Sequence, residues 1–221
     1  MKLLAIDTAT EACSAALYID GNILEKYEVA PRQHAGLILP MVDALLAEAE
    51  TELASLDGLA FGRGPGAFTG VRMATGIIQG LAFASDLPVV PISTLAAMAQ
   101  GAADQSNTIL SAIDARMGEI YWAIFSVGED GLVTPLSDEQ VSKPDTLSIE
   151  LKSECFGVGT GWGSYENKLS SYAGTKLKGF DANRFPRASD ILTLAINEFK
   201  QGNGVHAKDA LPVYLRNKVT G

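Results

Sequence analysis

The sequence predicts an α/β protein built from two similar halves. Short apolar runs typical of strands alternate with longer segments whose apolar residues recur every three or four positions, which indicates helices. The segment Leu4–Asp7 can also be superimposed on Ser111–Asp114, at an offset of 107 residues that is close to half of the 221-residue chain. Together these observations predict two α/β domains, residues 1–103 and 104–221.

Three strands are predicted at the start of the first half, in KLLAID, CSAALYI and ILEKYEV. The segment Asp20–Asn22 between the second and the third is typical of a hairpin turn. A helix is expected from about residue 34 to 53, because its apolar residues keep the three-four spacing. A fourth strand, LDGLAFG, leads into a glycine-rich loop and a helix from about 69 to 85, followed by the strand LPVVPI and a short helix.

The second half repeats the beginning of this order. An aromatic residue, Tyr18 or Phe125, follows eleven positions after the aspartate of each superimposed segment, and a turn comes just beyond it. The stretch ECFGVGTGWGSY is typical of a strand that passes through a glycine-rich turn into a helix. A last helix is expected at about 188–200. We therefore predict the same β-β-β-α-β-α plan in both halves.

The composition excludes several classes of protein. With 47% hydrophobic and 19% charged residues, the chain is globular rather than disordered. Its net charge of −9 argues against binding dominated by nucleic acid, because phosphate contacts need clustered Lys and Arg. Cys13 and Cys155 are expected to be reduced and buried. No signal peptide and no apolar run of about 18 residues is visible, so we expect a cytoplasmic protein without a membrane partner.

The stretch GRGPGAFTGVR, Gly62–Arg72, is a glycine-rich loop that leads into a helix. It lacks the Lys-Ser/Thr pair of a Walker loop, and the dinucleotide spacing fails at Ala67 and Thr69. Gly64 and Gly66 permit backbone conformations closed to other residues, and Thr69 is expected to cap the helix. A helix N-terminus after such a turn can bind an anion. The loop is therefore either a phosphate site or a tight turn between strand and helix.

Asp7 lies at the end of the first strand and is followed by Thr8 and Thr10. Hydroxyl and backbone N–H groups in this position can contact a phosphate, but Asp and Thr also stabilise tight turns. An alternative function is therefore an ATP-dependent transferase or hydrolase that uses Asp7 and the loop Gly62–Gly70. The candidate nucleotide-binding residues are Asp7, Thr8, Gly64, Gly66 and Thr69.

The helix after the loop has one formal charge, Arg72, between Thr69 and Ser85. A helix that is apolar or small nearly all round must be covered on most of its faces. Gly76 and Gly80 allow another backbone to approach closely. The pattern favours a partner molecule on one flank over complete burial within the domain.

The sequence offers no candidate set of metal ligands or nucleophiles. His34 and His206 are far apart and have no ligand spacing, and no Ser/His/Asp or Cys/His set stands out. We therefore expect neither a metal site nor a catalytic residue.

Four segments together closely resemble the TsaB, or YeaZ, family: LLAIDTATEACSAAL, GRGPGAFTGVRMATGIIQGLA, DARMGEIYWAIF and PVYLRN. The resemblance covers nearly the whole chain and implies an actin/hexokinase/Hsp70-like (ribonuclease H-like) duplicated two-domain fold. It also implies a role in making threonylcarbamoyladenosine on tRNA next to the anticodon, as a non-catalytic subunit that activates the paralogue TsaD together with the ATPase TsaE. No cofactor of its own is implied, with ATP or ADP bound at most at the subunit junction.

The same resemblance supports the non-catalytic role. TsaD carries a metal-binding H-x-x-x-H on the helix after its fifth strand, and the positions that align with these two ligands here are Thr94 and Met98. Neither side chain can replace an imidazole on a transition metal.

The resemblance implies a partner surface as well. Family members pair through two helices, here about 34–54 and 69–86, with the same helices of TsaD or of a second copy, so we expect a homodimer when the chain is alone. The residues expected at this interface are Leu37, Met41, Leu45, Val71, Arg72, Met73, Gly76, Ile77, Gly80 and Phe83.

Contact with tRNA is expected to be auxiliary at most. Basic residues suited to such a contact are concentrated in the second half, and the net negative charge of the chain opposes a larger contribution. The residues concerned are Arg184, Arg187, Arg216 and Lys218.

Overall fold

The structure, a computed structural model, describes residues 1–216, which form eleven strands and five α-helices. The strands are β1 Lys2–Asp7, β2 Ala12–Ile19, β3 Asn22–Val29, β4 Gly58–Gly62, β5 Val89–Ile92, β6 Thr108–Arg116, β7 Glu119–Val127, β8 Val133–Pro135, β9 Gln140–Ser142, β10 Cys155–Val158 and β11 Leu177–Asp181. The helices are α1 His34–Glu48, α2 Phe68–Ser85, α3 Thr94–Gln100, α4 Thr160–Ala173 and α5 Ala188–Lys200. None of these helices is long and apolar enough to cross a membrane.

The first unit consists of Met1–Ala97 and Pro186–Val213 and contains a five-stranded sheet. Its strand order is β3-β2-β1-β4-β5, with β1 antiparallel to β2 and parallel to β4. Because side chains alternate along a strand, β1 directs Leu4 and Ile6 into the core under α1 and α2, whereas its intervening residues pack under α5. Helices α1 and α2 therefore cover one face of the sheet, and α5 covers the other.

The second unit consists of Met98–Phe185 and residues 214–216, and its sheet repeats the plan of the first. The order is β11-β10-β6-β7-β8, with β9 paired to β7. Taken from the opposite end, β8-β7-β6-β10-β11 matches β3-β2-β1-β4-β5 strand for strand, including the antiparallel second strand. The predicted duplicated α/β fold is confirmed.

One element of the predicted repeat is absent from the described part of the second unit. Residues 143–154, which occupy the position of α1 in the chain order, form no helix. Leu147, Ile149 and Leu151 alternate along this segment and pack into the core of the unit, and a period of two is that of extended chain. The Tyr172 hydroxyl and the Lys176 ammonium group donate to the carbonyls of Ile149 and Leu151.

The division into units differs from the predicted boundary at residue 103. The structure divides the chain after Ala97 and returns residues Pro186–Val213 to the first unit. The reason is α5, whose bounds agree with the prediction and whose apolar side packs against the first sheet: Ile191 and Leu192 share a core cluster with Leu3. An amphipathic pattern identifies a buried side of a helix but not the sheet that buries it.

Candidate functional site

The glycine loop packs directly against the turn between β1 and β2. The Ala67 N–H donates to the Ala9 carbonyl at 2.8 Å, and the Thr8 hydroxyl donates to the Gly70 carbonyl at 2.7 Å. A Cβ atom at Gly66 would lie 2.3 Å from the Ala9 carbonyl oxygen, and one at Gly70 would lie 2.0 Å from the Thr8 carbonyl oxygen. Glycine is therefore needed at both positions so that two backbone segments can touch.

The other side of the loop contacts the C-terminal segment of the same unit. The Val213 N–H donates to the Arg63 carbonyl at 2.8 Å. Gly64 adopts a φ of +98°, and a Cβ there would lie 2.9 Å from the Val213 carbonyl oxygen. The Gly64 carbonyl in turn accepts from the Thr94 N–H. The loop is thus enclosed by backbone from this chain on two sides.

The Asp7 side chain lies between Gly62, at the end of β4, and Ile191 of α5. The side chain is fully buried, Oδ1 accepts from the Ala9 N–H at 3.0 Å, and Oδ2 has no hydrogen-bond partner among the described residues. Burial raises the pKa of this carboxyl to about 7, and the Ala9 N–H acts in the opposite direction. In this conformation the carboxyl group is closed to a ligand.

The structure brings only some of the predicted nucleotide-binding residues together. Thr8, Gly66 and Gly64 lie around the loop, whereas Asp7 lies on the other face of the sheet. The prediction that Thr69 caps α2 is wrong: the helix begins at Phe68, its N-cap is Ala67, and no side chain caps it. Thr69 is instead an exposed residue within the first turn.

Helix α2 exposes a stripe that contains one charged residue, two glycines and an aromatic residue. Arg72, Gly76, Gly80 and Phe83 follow one another at intervals of three or four residues, and all are exposed. A Cβ at Gly76 or Gly80 would meet no atom within 4 Å, and the Phe83 side chain is 85% exposed. The central part of this stripe therefore leaves the helix backbone open to close approach.

Two of the predicted partner residues face inward. Leu45 and Val71 are at most 1% exposed and lie on the sides of α1 and α2 that pack onto the sheet, so their side chains cannot reach a partner. Four others are half-buried at the margin between the core and the exposed side. These are Leu37, Met41, Met73 and Ile77.

Two apolar residues that were not predicted at this surface are also exposed: Leu39 of α1 and Phe68 of α2, each at 45%. The Arg72 guanidinium lies 3.7 Å from the centre of the Phe68 ring. Leu39 was detectable, because it falls outside the three-four stripe that includes Ile38 and Val42. We use the term helix face for the exposed residues Leu39, Phe68, Arg72, Gly76, Gly80 and Phe83.

The two positions that the family resemblance pairs with metal ligands lie on α3. Thr94 and Met98 are both buried there, one helical turn apart. Within residues 1–216, no three His, Cys, Asp or Glu side chains are grouped so that they could hold a metal ion.

Three of the four basic residues considered for tRNA contact bind groups of this chain. Arg184 donates to the Gly101 carbonyl, Arg187 contacts Glu25, and Arg216 contacts Glu119. The fourth, Lys218, lies outside the described residues. Cations that are already paired make a weaker basis for phosphate binding.

Comparison with known proteins identifies close relatives. Residues 23–209 match the family model described as TsaD, tRNA N6-adenosine threonylcarbamoyltransferase. The chain is 45% identical to the tRNA threonylcarbamoyladenosine biosynthesis protein TsaB of Escherichia coli strain K12, over 99% of this chain and 96% of that protein. It is 44% identical to the protein of the same name from Haemophilus influenzae, over 100% and 95% of the two chains. The solved structure of YeaZ from Pseudomonas aeruginosa is 46% identical, with a TM-score of 0.91 over 97% of this chain and 99% of that one.

Proposed function

The chain belongs to the TsaB family of tRNA threonylcarbamoyladenosine biosynthesis proteins, and from that premise we propose that it is a non-catalytic subunit. In the cytoplasm it binds and activates the transferase TsaD, together with TsaE, for modification of tRNA next to the anticodon. The observation that carries the proposal is the helix face, an exposed apolar surface with a single charge on α2.

The helix face suits a helical partner. Because Gly76 and Gly80 have no side chains and a Cβ at either position would meet no atom within 4 Å, a partner helix can approach the α2 backbone. Phe83 provides a large apolar contact at one end. A standard interface buries about 1,600 Å² in total, which two helices packed on two others can supply. The TsaD family model spans both α1 and α2, so a TsaD chain is expected to offer a similar pair.

The site geometry supports a non-catalytic role over the alternative of an ATP-dependent transferase or hydrolase. Asp7 is buried and faces α5, and the glycines of the loop are occupied by contacts with the backbones of Thr8, Ala9 and Val213. Thr94 and Met98 offer no imidazole for a metal. No cofactor of its own is proposed, and ATP or ADP would bind at most at the junction with TsaD.

Reconstitution tests the proposed function. Threonylcarbamoyladenosine formed on tRNA is measured by mass spectrometry of nucleosides, with TsaD and TsaE present and with this protein added or omitted. Modification is expected to depend on the protein, while the isolated protein turns over no ATP. Modification that is equally fast without it, or ATP turnover that Asp7→Ala abolishes, would contradict the proposal.

Gly80→Glu is expected to separate binding from folding. A Cβ at this position meets no atom within 4 Å and glutamate has the higher helix propensity, so thermal stability should hold or rise. A charge in the middle of the interface should weaken TsaD binding about tenfold or more. Phe83→Glu should act in the same direction.

Leu136→Glu is the matched control, because Leu136 is 58% exposed but lies in the second unit, outside the helix face. It should leave TsaD binding unchanged, as measured by titration calorimetry. If both Gly80→Glu and Phe83→Glu bind TsaD as the wild type does, the helix face is not the TsaD-binding surface. Since a homodimer is proposed to use the same face, the two variants should also be monomeric when alone.

A further inference from the structure

The Asp7 carboxyl group lies at the C-terminal end of β1, enclosed between β4 and α5. Its Oδ2 atom occupies the space that a side chain at Gly62 would need, since a Cβ there would lie 1.8 Å from it. The same Cβ would lie 3.5 Å from the Cδ1 atom of Ile191 in α5. The first turn of α5 therefore closes over the end of β1 where this carboxyl is buried.

Only one of the two carboxyl oxygens has a hydrogen bond. Oδ1 accepts from the Ala9 N–H at 3.0 Å, whereas Oδ2 is buried without a partner among residues 1–216. An ionised carboxylate in such a place loses its hydration without full compensation, while a neutral carboxyl group is buried at a smaller cost. The closed arrangement therefore favours the protonated form.

The titratable and charged groups on the surrounding elements do not compensate a negative charge at this position. On β2, burial, followed by the neighbouring carboxylates, raises the pKa of the Cys13 thiol to about 12, so the thiol is neutral. On β4, Gly62 has no side chain. In the first turn of α5 and just before it, Asp190 is itself an acid and Arg187 is held by Glu25 at 2.6 Å.

The first turn of α5 is attached to the sheet by groups other than this carboxyl. The Ser14 hydroxyl oxygen accepts from the Ala188 N–H at 3.0 Å, and Glu25 accepts from the Ser189 N–H at 3.0 Å. Ser14 is also the residue directly opposite Asp7 in the β1–β2 pair. These two amides therefore report on whether the first turn of α5 is closed on the sheet next to the carboxyl.

We propose that Asp7 acts as a proton-operated latch, in which the neutral carboxyl lets the first turn of α5 close and the ionised carboxyl makes it separate from β1. The separation admits water to the charge. Because burial raises the pKa of this carboxyl to about 7, the latch changes state near neutral pH. The latch lies on the face of the sheet opposite the helix face and does not depend on the proposed function.

Hydrogen exchange of the Ala188 and Ser189 amides, measured by NMR between pH 5 and pH 8 and corrected for intrinsic exchange, tests the latch. The fraction of molecules in which these two amides are open should rise about tenfold per pH unit below pH 7 and level off above it, because the carboxyl ionises only in the open form. Asp7→Asn should remove this slope. Asp190→Asn, which removes a carboxyl from the same turn of α5, should keep it.

Opening that does not vary with pH in the wild type overturns the latch, as does a slope that Asp7→Asn keeps or that Asp190→Asn removes. If Asp7→Asn does not fold, the carboxyl carbon resonance of Asp7 in the wild type serves instead. A midpoint near pH 7 together with the exchange slope supports the latch, whereas a midpoint near the ordinary value of 3.8 overturns it.

Discussion

Replacing Gly70 by alanine is expected to lower the free energy of unfolding by about 3 kcal/mol, whereas the same change at Gly76 should raise it by about 0.5–1 kcal/mol. Both residues lie in α2, so the gain in helix propensity is common to the two variants. The difference comes from the surroundings: the new Cβ at Gly70 would lie 2.0 Å from the Thr8 carbonyl oxygen, while the one at Gly76 meets nothing within 4 Å. A backbone oxygen cannot swing aside as the end of a flexible side chain can.

Chemical denaturation of the two variants beside the wild type measures this difference directly. If Gly70→Ala proves as stable as Gly76→Ala, the turn at Thr8 and Ala9 can shift, and the interpretation of the loop glycines as packing residues is wrong. A Gly66→Ala variant should behave like Gly70→Ala, because its Cβ would lie 2.3 Å from the Ala9 carbonyl oxygen.

Asp7→Asn is expected to remove a pH dependence worth about 4 kcal/mol from the free energy of unfolding. The pKa of the buried carboxyl is about 7 in the folded protein and 3.8 is its ordinary value, and each pKa unit corresponds to about 1.4 kcal/mol. Below pH 3.8 the carboxyl is neutral in both states and its contribution to stability is complete. As the pH rises to 7 the unfolded chain ionises first, so the contribution is lost, and above 7 the loss is constant.

Urea denaturation at pH 5, 6, 7 and 8 measures this effect as the difference between Asp7→Asn and the wild type. The difference should grow in favour of the variant up to about pH 7 and then stay level. Asp145→Asn is the control. A hydrogen bond donated by Lys168 lowers the pKa of the exposed Asp145 carboxyl, so this carboxyl titrates below the measured pH range. A difference that does not vary with pH would mean that Asp7 is hydrated in the folded protein.

Urea denaturation and hydrogen exchange together distinguish burial of the Asp7 carboxyl from movement of the first turn of α5. A slope in global stability without a slope in the exchange of the α5 amides would mean that the carboxyl titrates in place and that the latch is wrong. A slope in both would link the ionisation to the first turn of α5. Neither result bears on TsaD binding, which the variants at Gly80 and Phe83 test.

Elements with strong local signals were predictable from the sequence. The spacing of apolar residues placed α5 at residues 188–200, as observed, and placed α2 within one residue of its start. The end of α1 was less predictable, because the helix stops at Glu48 rather than near residue 53. Glu50 adopts a left-handed φ of +46°, a conformation that is uncommon for glutamate and that its residue type does not predict. The Asp20-Gly21 turn was recognised from the residue types that tolerate positive φ.

A partner surface on the helices was predictable from the sequence, but which side of α2 faces outward was not. The small, nearly uncharged surface of α2 indicated a partner, yet Val71 proved to be a core residue. A periodic pattern describes which residues share a side of a helix. When a helix is apolar nearly all round, that pattern alone cannot say which side meets the sheet.

The sequence by itself determined the alternation of strands and helices, the duplication of the plan and the family resemblance, because these depend on residue type and local spacing. Only the tertiary structure decided that α5 returns to the first sheet and encloses Asp7, and that the glycines of the loop touch Thr8, Ala9 and Val213. These features depend on close contact between residues far apart in the chain. The pKa of a carboxyl and the room for a Cβ atom are set by such contacts and not by neighbouring residues in the sequence.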